Sequence, residues 1–206
     1  ITQRAAIFYP EVRFLNCSVN LVSSEVMTYY TRSYDAKFIM GALAAMTSDN
    51  HKIGYRANFP IFGAVADINA FAIGAAMVDP RVKIYLDWSG SRNSSWEELL
   101  EREDIRVISG LEMIRPRQAS REYGLYCRDE NGMVHNLCAP LNNWGKFYER
   151  LLRPIVRGTA SLKDRQENRS LNFYWGMATG AVELIFSKHI PFYSRKTAER
   201  LVDAIM

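Results

Sequence analysis

Hydrophobic and polar residues follow two different periods along the chain, and the order of these periods predicts an α/β protein. Between residues 52 and 88 the pattern is that of a β-α-β unit, with a strand at Ile53–Ala57, a helix from about Asp67 to Val78 and a strand at Val82–Trp88. Apolar residues recur every three or four positions in the helix, and Asp67 is its predicted N-cap. A crossover helix joins parallel strands, and open α/β sheets bind small molecules at the carboxyl ends of such strands.

The same pattern recurs before and after this unit. A strand at Val12–Cys17 precedes a nearly all-apolar helix at residues 36–46, for which Ser33 is the predicted cap. Downstream, Ser94–Glu97 resembles a capping box and leads through a helix to a strand at Ile105–Gly110. Two consecutive crossovers predict a parallel sheet.

The sequence pattern in the second half of the chain predicts a hairpin and several helices. The hairpin turns at Asn131-Gly132 and pairs Leu125–Asp129 with Val134–Cys138. The predicted helices are Glu112–Tyr123, which Pro116 interrupts, Trp144–Arg157, Phe173–Ser187 and Arg195–Ile205. Residues 163–169 are charged and are expected to form an exposed connection.

Composition places the chain among globular proteins. It has 206 residues, of which 48% are hydrophobic and 23% charged, with a formal net charge of +4. The basic residues are scattered and form no run of five, which argues against a nucleic-acid partner. No stretch approaches the roughly 18 apolar residues of a membrane span. Because Ile1 begins inside an element, we expect the chain to be a piece of a longer protein.

The motifs of catalysis and metal binding are missing from the sequence. The three histidines occupy no metal-binding frame, and no G-x-S-x-G, P-loop or G-x-G-x-x-G motif occurs. The hairpin register places Cys127 opposite Asn136, with His135 on the other face, so Cys127 and His135 are not expected to form a dyad. Three thiols without a C-x-x-C pair predict free, mostly buried cysteines. We therefore expect no catalysis, no cofactor and no metal.

Aromatic and amide side chains are concentrated at predicted strand ends and loops. Flat rings with a few hydrogen-bonding groups hold planar or cyclic ligands reversibly. The residues are Phe59, Phe62, Trp88, Asn142, Asn143, Trp144, Tyr174 and Trp175. Phe62, Tyr174 and Trp175 suit core packing, whereas Phe59, Trp88 and Trp144 flank predicted turns.

Four blocks in a fixed order resemble a known family. They are Tyr9–Phe14, Tyr34–Met46, Lys52–Tyr55 and Asn69–Ala75, and together they are similar to the basic membrane protein (BMP) family of substrate-binding lipoproteins. Members of that family serve ABC importers and include receptors for purine nucleosides. The resemblance runs through most of the chain and weakens after Gly110.

The resemblance implies a type I periplasmic-binding-protein fold, in which two three-layer α/β lobes with parallel sheets hold a ligand between them. Residues 1–49 would be the remnant of an incomplete first lobe, 50–141 the second lobe, and 142–206 a return crossing with terminal helices. The family's signal peptide and lipid-bearing cysteine would precede residue 1. A lobe without its first strands would leave edges unpaired, so we expect a homodimer of the fragment.

The resemblance also implies a ligand site. Asn58 and Phe59 match the family's ligand-facing turn, and Arg92 stands where nucleoside receptors place a stacking phenylalanine. The family's ribose-binding lysine would fall at Asn142 or Asn143, neither of which is lysine, and its acidic partner would be Asp129. With the turn-flanking tryptophans, we expect Trp88, Arg92 and Trp144 on one concave surface.

The leading interpretation is a non-catalytic receptor of an ABC-type importer that binds a small polar or nucleoside-like molecule. Such a receptor would be lipid-anchored on the outer face of the cell membrane and would deliver its ligand to an ABC permease. One alternative is a cytoplasmic effector-sensing domain of a regulator, since the same two-lobed architecture serves both tasks. Another is an α/β enzyme on a similar sheet.

Overall fold

The computed structural model describes residues 1–18, 23, 25–60, 62–91, 95–112, 121–158 and 173–206. They form two compact units. Unit 1 comprises residues 1–32 and 142–182, and unit 2 comprises residues 33–141 and 183–206. The chain therefore passes from one unit to the other three times, after Arg32, Leu141 and Val182. Residues 33–49 and 183–206 therefore belong to the same unit as residues 50–141. The lobe boundaries after residues 49 and 141, which the family resemblance implies, stay a prediction.

Unit 1 is built on a three-stranded parallel sheet. Its elements are α1 (Thr2–Phe8), β1 (Phe14–Cys17), β2 (Val26–Thr31), α5 (Trp144–Val156) and β8 (Phe173–Trp175). The strand order is β1-β2-β8. Helix α5 is strongly amphipathic, and it buries Phe147 and Leu151 against Met27 and Phe173 of the sheet.

Unit 2 contains a six-stranded sheet with helices on both faces. Its strands are β3 (Lys52–Ala57), β4 (Lys83–Trp88), β5 (Val107–Ser109), β6 (Leu125–Arg128), β7 (Val134–Asn142) and β9 (Val182–Phe186). Its helices are α2 (Tyr34–Thr47), α3 (Phe62–Val78), α4 (Trp96–Arg102) and α6 (Phe192–Ile205). The strand order is β4-β3-β5-β6-β7-β9, with β3 parallel to both β4 and β5. The predicted α/β class with parallel strands is confirmed.

Alternate residues of β3 explain the layers. Ile53 and Tyr55 belong to the core under α2 and α3, whereas Gly54 faces the opposite side. There a Cβ on Gly54 would meet Trp96, Leu100 and Ile105, which pack with Ile108 and Tyr126. Successive side chains of a strand point to opposite faces of the sheet, so β3 contributes to two separate hydrophobic cores.

Helices α2 and α3 cross with their backbones in contact. A Cβ on Gly41 would overlap the carbonyl of Phe71, and a Cβ on Gly74 would overlap the carbonyl of Phe38. This close crossing explains why α2 is apolar around most of its circumference, because it also contacts α6 and β5. Helix α3 leaves Val65, Ile73 and Met77 exposed on its outer face.

One predicted helix is wrong. Residues 173–187 form β8, a 3₁₀ turn at Met177–Thr179 and β9 instead of a single helix. The break is at Gly180, which has a φ of 70°. That left-handed conformation suits glycine and would interrupt a right-handed helix.

Two local predictions in unit 2 are also wrong. Asp67 does not cap α3, which begins at Phe62, so the carboxylate lies inside the helix. In the hairpin, a bulge between Leu125 and Tyr126 shifts the register and places Cys127 opposite His135 rather than Asn136. Cross-strand partners share a face, so Cys127 and His135 do lie on the same side.

The predicted helix at 112–123 falls mostly on residues 113–120, outside the described residues, as do Ser94 and the connection at 163–169. The cysteines that the structure describes are free, but Cys138 alone is buried and Cys17 is exposed. No helix in the described ranges is long and apolar enough to span a bilayer.

Candidate functional site

The carboxyl ends of β3 and β4 lie side by side, because Ala57 pairs with Trp88. The two loops that follow are joined by hydrogen bonds. Ser89 Oγ donates to Asn58 Oδ1 at 3.1 Å, and the Gly90 amide donates to the Asn58 carbonyl at 3.3 Å. Asn58, Phe59 and Trp88 are therefore brought together at one end of the unit 2 sheet, as predicted for an α/β ligand edge.

Phe59 is the exposed apolar group of this edge. Its side chain is 61% exposed, and its ring lies over Gly90, where any Cβ would collide with the ring. Trp88 is partly buried against the core below. An exposed ring held over a glycine backbone offers a flat surface on which a planar or cyclic ligand can stack.

A polar cluster around the buried Lys37 lies at the same end of the sheet. It consists of Ser33 and Lys37 at the start of α2, Tyr55 near the end of β3, Asp67 in the second turn of α3, and Glu112 just beyond β5. Lys37 is 3% exposed, and its ammonium forms an ion pair with Glu112. The ammonium also lies 5.2 Å from the centre of the Tyr55 ring.

The charges in this cluster shift one another's titration. Burial by itself would lower the pKa of Lys37, but Glu112, Tyr55 and Asp67 together outweigh burial and the pKa is raised. Burial raises the pKa of Asp67 to about 6, although Lys37 and the bond from Ser33 act in the opposite direction. Ser33 Oγ lies 3.0 and 2.8 Å from the two Asp67 oxygens and donates to this carboxylate.

The cluster includes Ser33, which is the first residue of unit 2 and follows directly on Arg32 of unit 1. Ser109 adds a fully buried hydroxyl on the same sheet face as its strand partner Tyr55, and its oxygen has no hydrogen-bond partner among the described residues. Sequence reasoning missed this cluster. The available signal was a lysine within an otherwise apolar helical stretch, since a buried lysine needs a partner.

Asp129 lies at the opposite end of the sheet. It follows β6, which runs antiparallel to β5, and so it lies beyond the amino ends of β5 and β3. At about 3.3 Å per residue this is roughly 20 Å from the Asn58 turn. Its carboxylate accepts hydrogen bonds from the Asn131 and Met133 amides and from His135 Nε2. Asp129 therefore stabilises the hairpin turn and does not join the edge that carries Phe59.

The Cys127–His135 pair lacks the properties of a nucleophile and base. Burial raises the pKa of the Cys127 thiol, and its Sγ lies 3.8 Å from the His135 carbonyl, which it contacts as a donor. The His135 imidazole is bonded to Asp129 instead. A protonated thiol whose proton is directed to a carbonyl is a poor nucleophile.

The remaining predicted residues lie in unit 1 or outside the described residues. Asn142 ends β7, and Asn143 caps α5 by accepting a hydrogen bond from the Lys146 amide at 3.2 Å. Trp144 packs within an aromatic cluster, with its ring centre 6.2 Å from that of Tyr29 and 6.0 Å from that of Tyr148. Arg92 lies outside the described ranges. The predicted concave surface that joins Trp88, Arg92 and Trp144 stays a prediction.

Unit 1 has its own aromatic surface around Trp144. Tyr29, Phe147, Tyr148, Phe173 and Trp175 complete the cluster. The Tyr29 and Tyr148 hydroxyls are 3.0 Å apart, and this bond together with burial raises the pKa of Tyr29 to about 12. Within the described part of the chain, no group of three or more His, Cys, Asp or Glu side chains is arranged to hold a metal ion.

Sequence comparison relates the chain to transport proteins. Residues 1–98 match the family described as ABC transporter substrate-binding protein, PnrA-like. A purine-binding protein of Brucella abortus is 23% identical over 211 residues, which cover 96% of this chain and 58% of the relative. A protein of Haloferax volcanii assigned as an ABC transporter glucose-binding protein is 26% identical and is covered to 45%. The chain thus spans about half the length of these curated relatives.

Solved structures show the same fold. A transcriptional activator of the comK gene from Bacillus halodurans superposes with a TM-score of 0.69 at 14% identity, over 98% of this chain and 72% of that one. An ABC transporter solute-binding protein from Conexibacter woesei gives 0.61 at 13% identity, over 99% and 72%. The TM-scores show a shared fold, but at these low identities the similarity does not show a shared function.

Proposed function

We propose that the chain, of which residues 1–98 match the Bmp family model, is a BMP-family ABC transporter substrate-binding protein and binds a small polar or nucleoside-like molecule for import without catalysing a reaction. The observation that carries this proposal is the Phe59 ring, which is exposed over Gly90 at the carboxyl end of β3. The curated relatives in the comparison are described as purine-binding and glucose-binding. Both ligands are cyclic, and cyclic ligands stack well on an aromatic ring.

The bound molecule would rest on Phe59 and Trp88, and the Asn58 and Ser89 side chains would contribute hydrogen bonds. In unit 1, Asn142, Asn143 and Trp144 would supply further contacts, and Arg92 would stack on a base or pair with an anionic group. The Asn58 amide and the Ser89 hydroxyl suit the hydroxyl groups of a sugar or ribose, because both side chains can donate and accept hydrogen bonds.

In the longer protein, the receptor would deliver its ligand to an ABC permease from the outer face of the cell membrane, where a lipid anchor would hold it. The alternative of an effector-sensing domain is not favoured, because the matching family is described as ABC transporter substrate-binding and one relative is assigned to an ABC transporter. The transcriptional activator shares the fold alone. The predicted homodimer stays a prediction.

A thermal-shift panel of purine nucleosides, free purine bases, glucose and amino acids tests the proposal. A molecule that binds the native state raises the melting temperature, by an amount that grows with concentration above Kd. We expect a nucleoside or hexose to raise it and to be recovered chemically unchanged, as mass spectrometry can verify. Conversion of the bound molecule to a product would contradict a receptor role and favour the α/β enzyme.

A further inference from the structure

The start of α6 carries two adjacent aromatic side chains in solvent. Phe192 is 70% exposed and Tyr193 is 82% exposed. Their ring centres are 5.5 Å apart at an interplanar angle of 78°. Exposed neighbouring aromatics cost solvation energy and usually mark a surface that contacts something else.

The rest of α6 fixes the direction of these rings. Ile190, just before the helix, is 6% exposed within the unit 2 core, and Ala198 is fully buried. Phe192 and Lys196 are four residues apart and therefore share a face, which is turned away from Ala198. The helix is anchored on one side, so the rings stay on the outside.

The surroundings of the rings are basic. Between residues 184 and 198 the chain contains Lys188, Arg195 and Lys196 and no aspartate or glutamate. Lys188 and Lys196 are exposed on either side of the aromatic pair. Arg195 is bonded to Glu199 at 2.8 Å, so the two lysines supply the free positive charge.

The neighbouring hairpin does not cancel this charge. The His189 ring lies 5.5 Å from the His135 ring, which brings the hairpin turn close to the start of α6. That turn carries two acidic groups: Asp129 accepts hydrogen bonds from His135 and two backbone amides, and the exposed Glu130 forms an ion pair with Arg106 at 3.9 Å. We call Lys188, Phe192, Tyr193 and Lys196 the aromatic–basic corner.

We propose that the aromatic–basic corner docks onto an anionic lipid surface. Aromatic rings favour the boundary between head groups and acyl chains, and lysines flanking them are attracted to anionic head groups. Phe192 and Lys196 share one exposed face of α6, and Tyr193 and Lys188 are exposed near them in the chain. The proposal is independent of the ligand site, because the hairpin contacts place this corner toward the end of the sheet opposite to Phe59.

Vesicle co-sedimentation tests the proposal with the 206-residue chain. We expect binding to vesicles of 30% phosphatidylglycerol in phosphatidylcholine and at least tenfold weaker partitioning to phosphatidylcholine alone. The double variant Phe192→Ser/Tyr193→Ser should lower partitioning into the anionic vesicles at least tenfold, because both rings would leave the interface. Lys188→Glu/Lys196→Glu should lower it by a similar factor and reduce its dependence on salt.

Phe59→Ala is the matched control, since it also removes an exposed phenylalanine from unit 2, and it should leave partitioning unchanged. Circular-dichroism melting should show that the corner variants remain folded. Equal binding of the chain and the aromatic variant, or no binding to anionic vesicles, would overturn the proposal. Sedimentation velocity gives a further test. If the chain forms a dimer that the corner variants abolish, and it does not bind vesicles, the lipid proposal is overturned, because the corner would then contact a second copy of the chain.

Discussion

The raised pKa of Asp67 makes the stability of the protein depend on pH. Its pKa in the folded protein is about 6, against 3.8 for a free side chain. A raised folded-state pKa means that the native state binds the proton more tightly than the unfolded state does. The resulting stabilisation is complete below pH 3.8 and is lost as pH rises through 6.

The substitution Asp67→Asn should therefore stabilise the protein at neutral pH and have less effect in acid. The asparagine can still accept a hydrogen bond from Ser33, but it carries no charge to bury. We expect the advantage of the variant in free energy of unfolding to grow between pH 4 and pH 7.5, to about 3 kcal/mol at most. Urea denaturation at a series of pH values measures this.

The exposed carboxylate of Asp203 on α6 provides the control, and Asp203→Asn should leave the pH profile of stability unchanged. A profile of Asp67→Asn parallel to that of the unmodified protein would show that Asp67 is not the titrating group.

The cluster around Asp67 was beyond sequence prediction, because Lys37 and Glu112 are 75 positions apart and only the folded sheet brings them together.

At the scale of elements, the crossing of α2 and α3 is the contact with the least tolerance. Gly41→Ala would push a methyl group into the Phe71 carbonyl, which is part of a backbone that cannot rotate away. We expect Gly41→Ala to lower the free energy of unfolding by about 3 kcal/mol, at the upper end of the cost of overpacking. Chemical denaturation of the purified variant gives the value.

Gly145 is the matched control, because it is also helical but has no neighbour closer than 3.7 Å to the position of an added Cβ. Gly145→Ala should be neutral or stabilising by about 0.5–1 kcal/mol, since alanine is the better helix former. If both substitutions have the same effect, the two helices do not cross as closely as described.

The elements also show what the sequence could and could not predict. The first β-α-β unit was predictable because its strands are short apolar runs and the longer segment between them is rich in alanine, which favours a helix. Residues 173–187 were not, since an apolar stretch is compatible with a helix or with buried strands, and the turn at Gly180 decides between them. The hairpin was predicted correctly in kind, but its bulge cannot be read from composition.

At the scale of the whole molecule, topology explains which of the predicted site residues lie near one another. Asn58, Phe59 and Trp88 could be grouped from sequence because parallel neighbours end at the same edge. Asp129 could not be excluded in that way, because its placement depends on which direction β6 runs relative to β5. Family resemblance suggested a role for Asp129 that its distance from Phe59 does not support.

The central claim is that the edge around Phe59 binds a ligand reversibly. Isothermal titration calorimetry of the protein, with the molecule selected by the thermal-shift panel, tests it most directly. We expect Phe59→Ala to weaken Kd about tenfold, which corresponds to the loss of roughly 1.4 kcal/mol of stacking, while Phe192→Ala leaves Kd unchanged. Equal affinity of the unmodified protein and Phe59→Ala would contradict the claim.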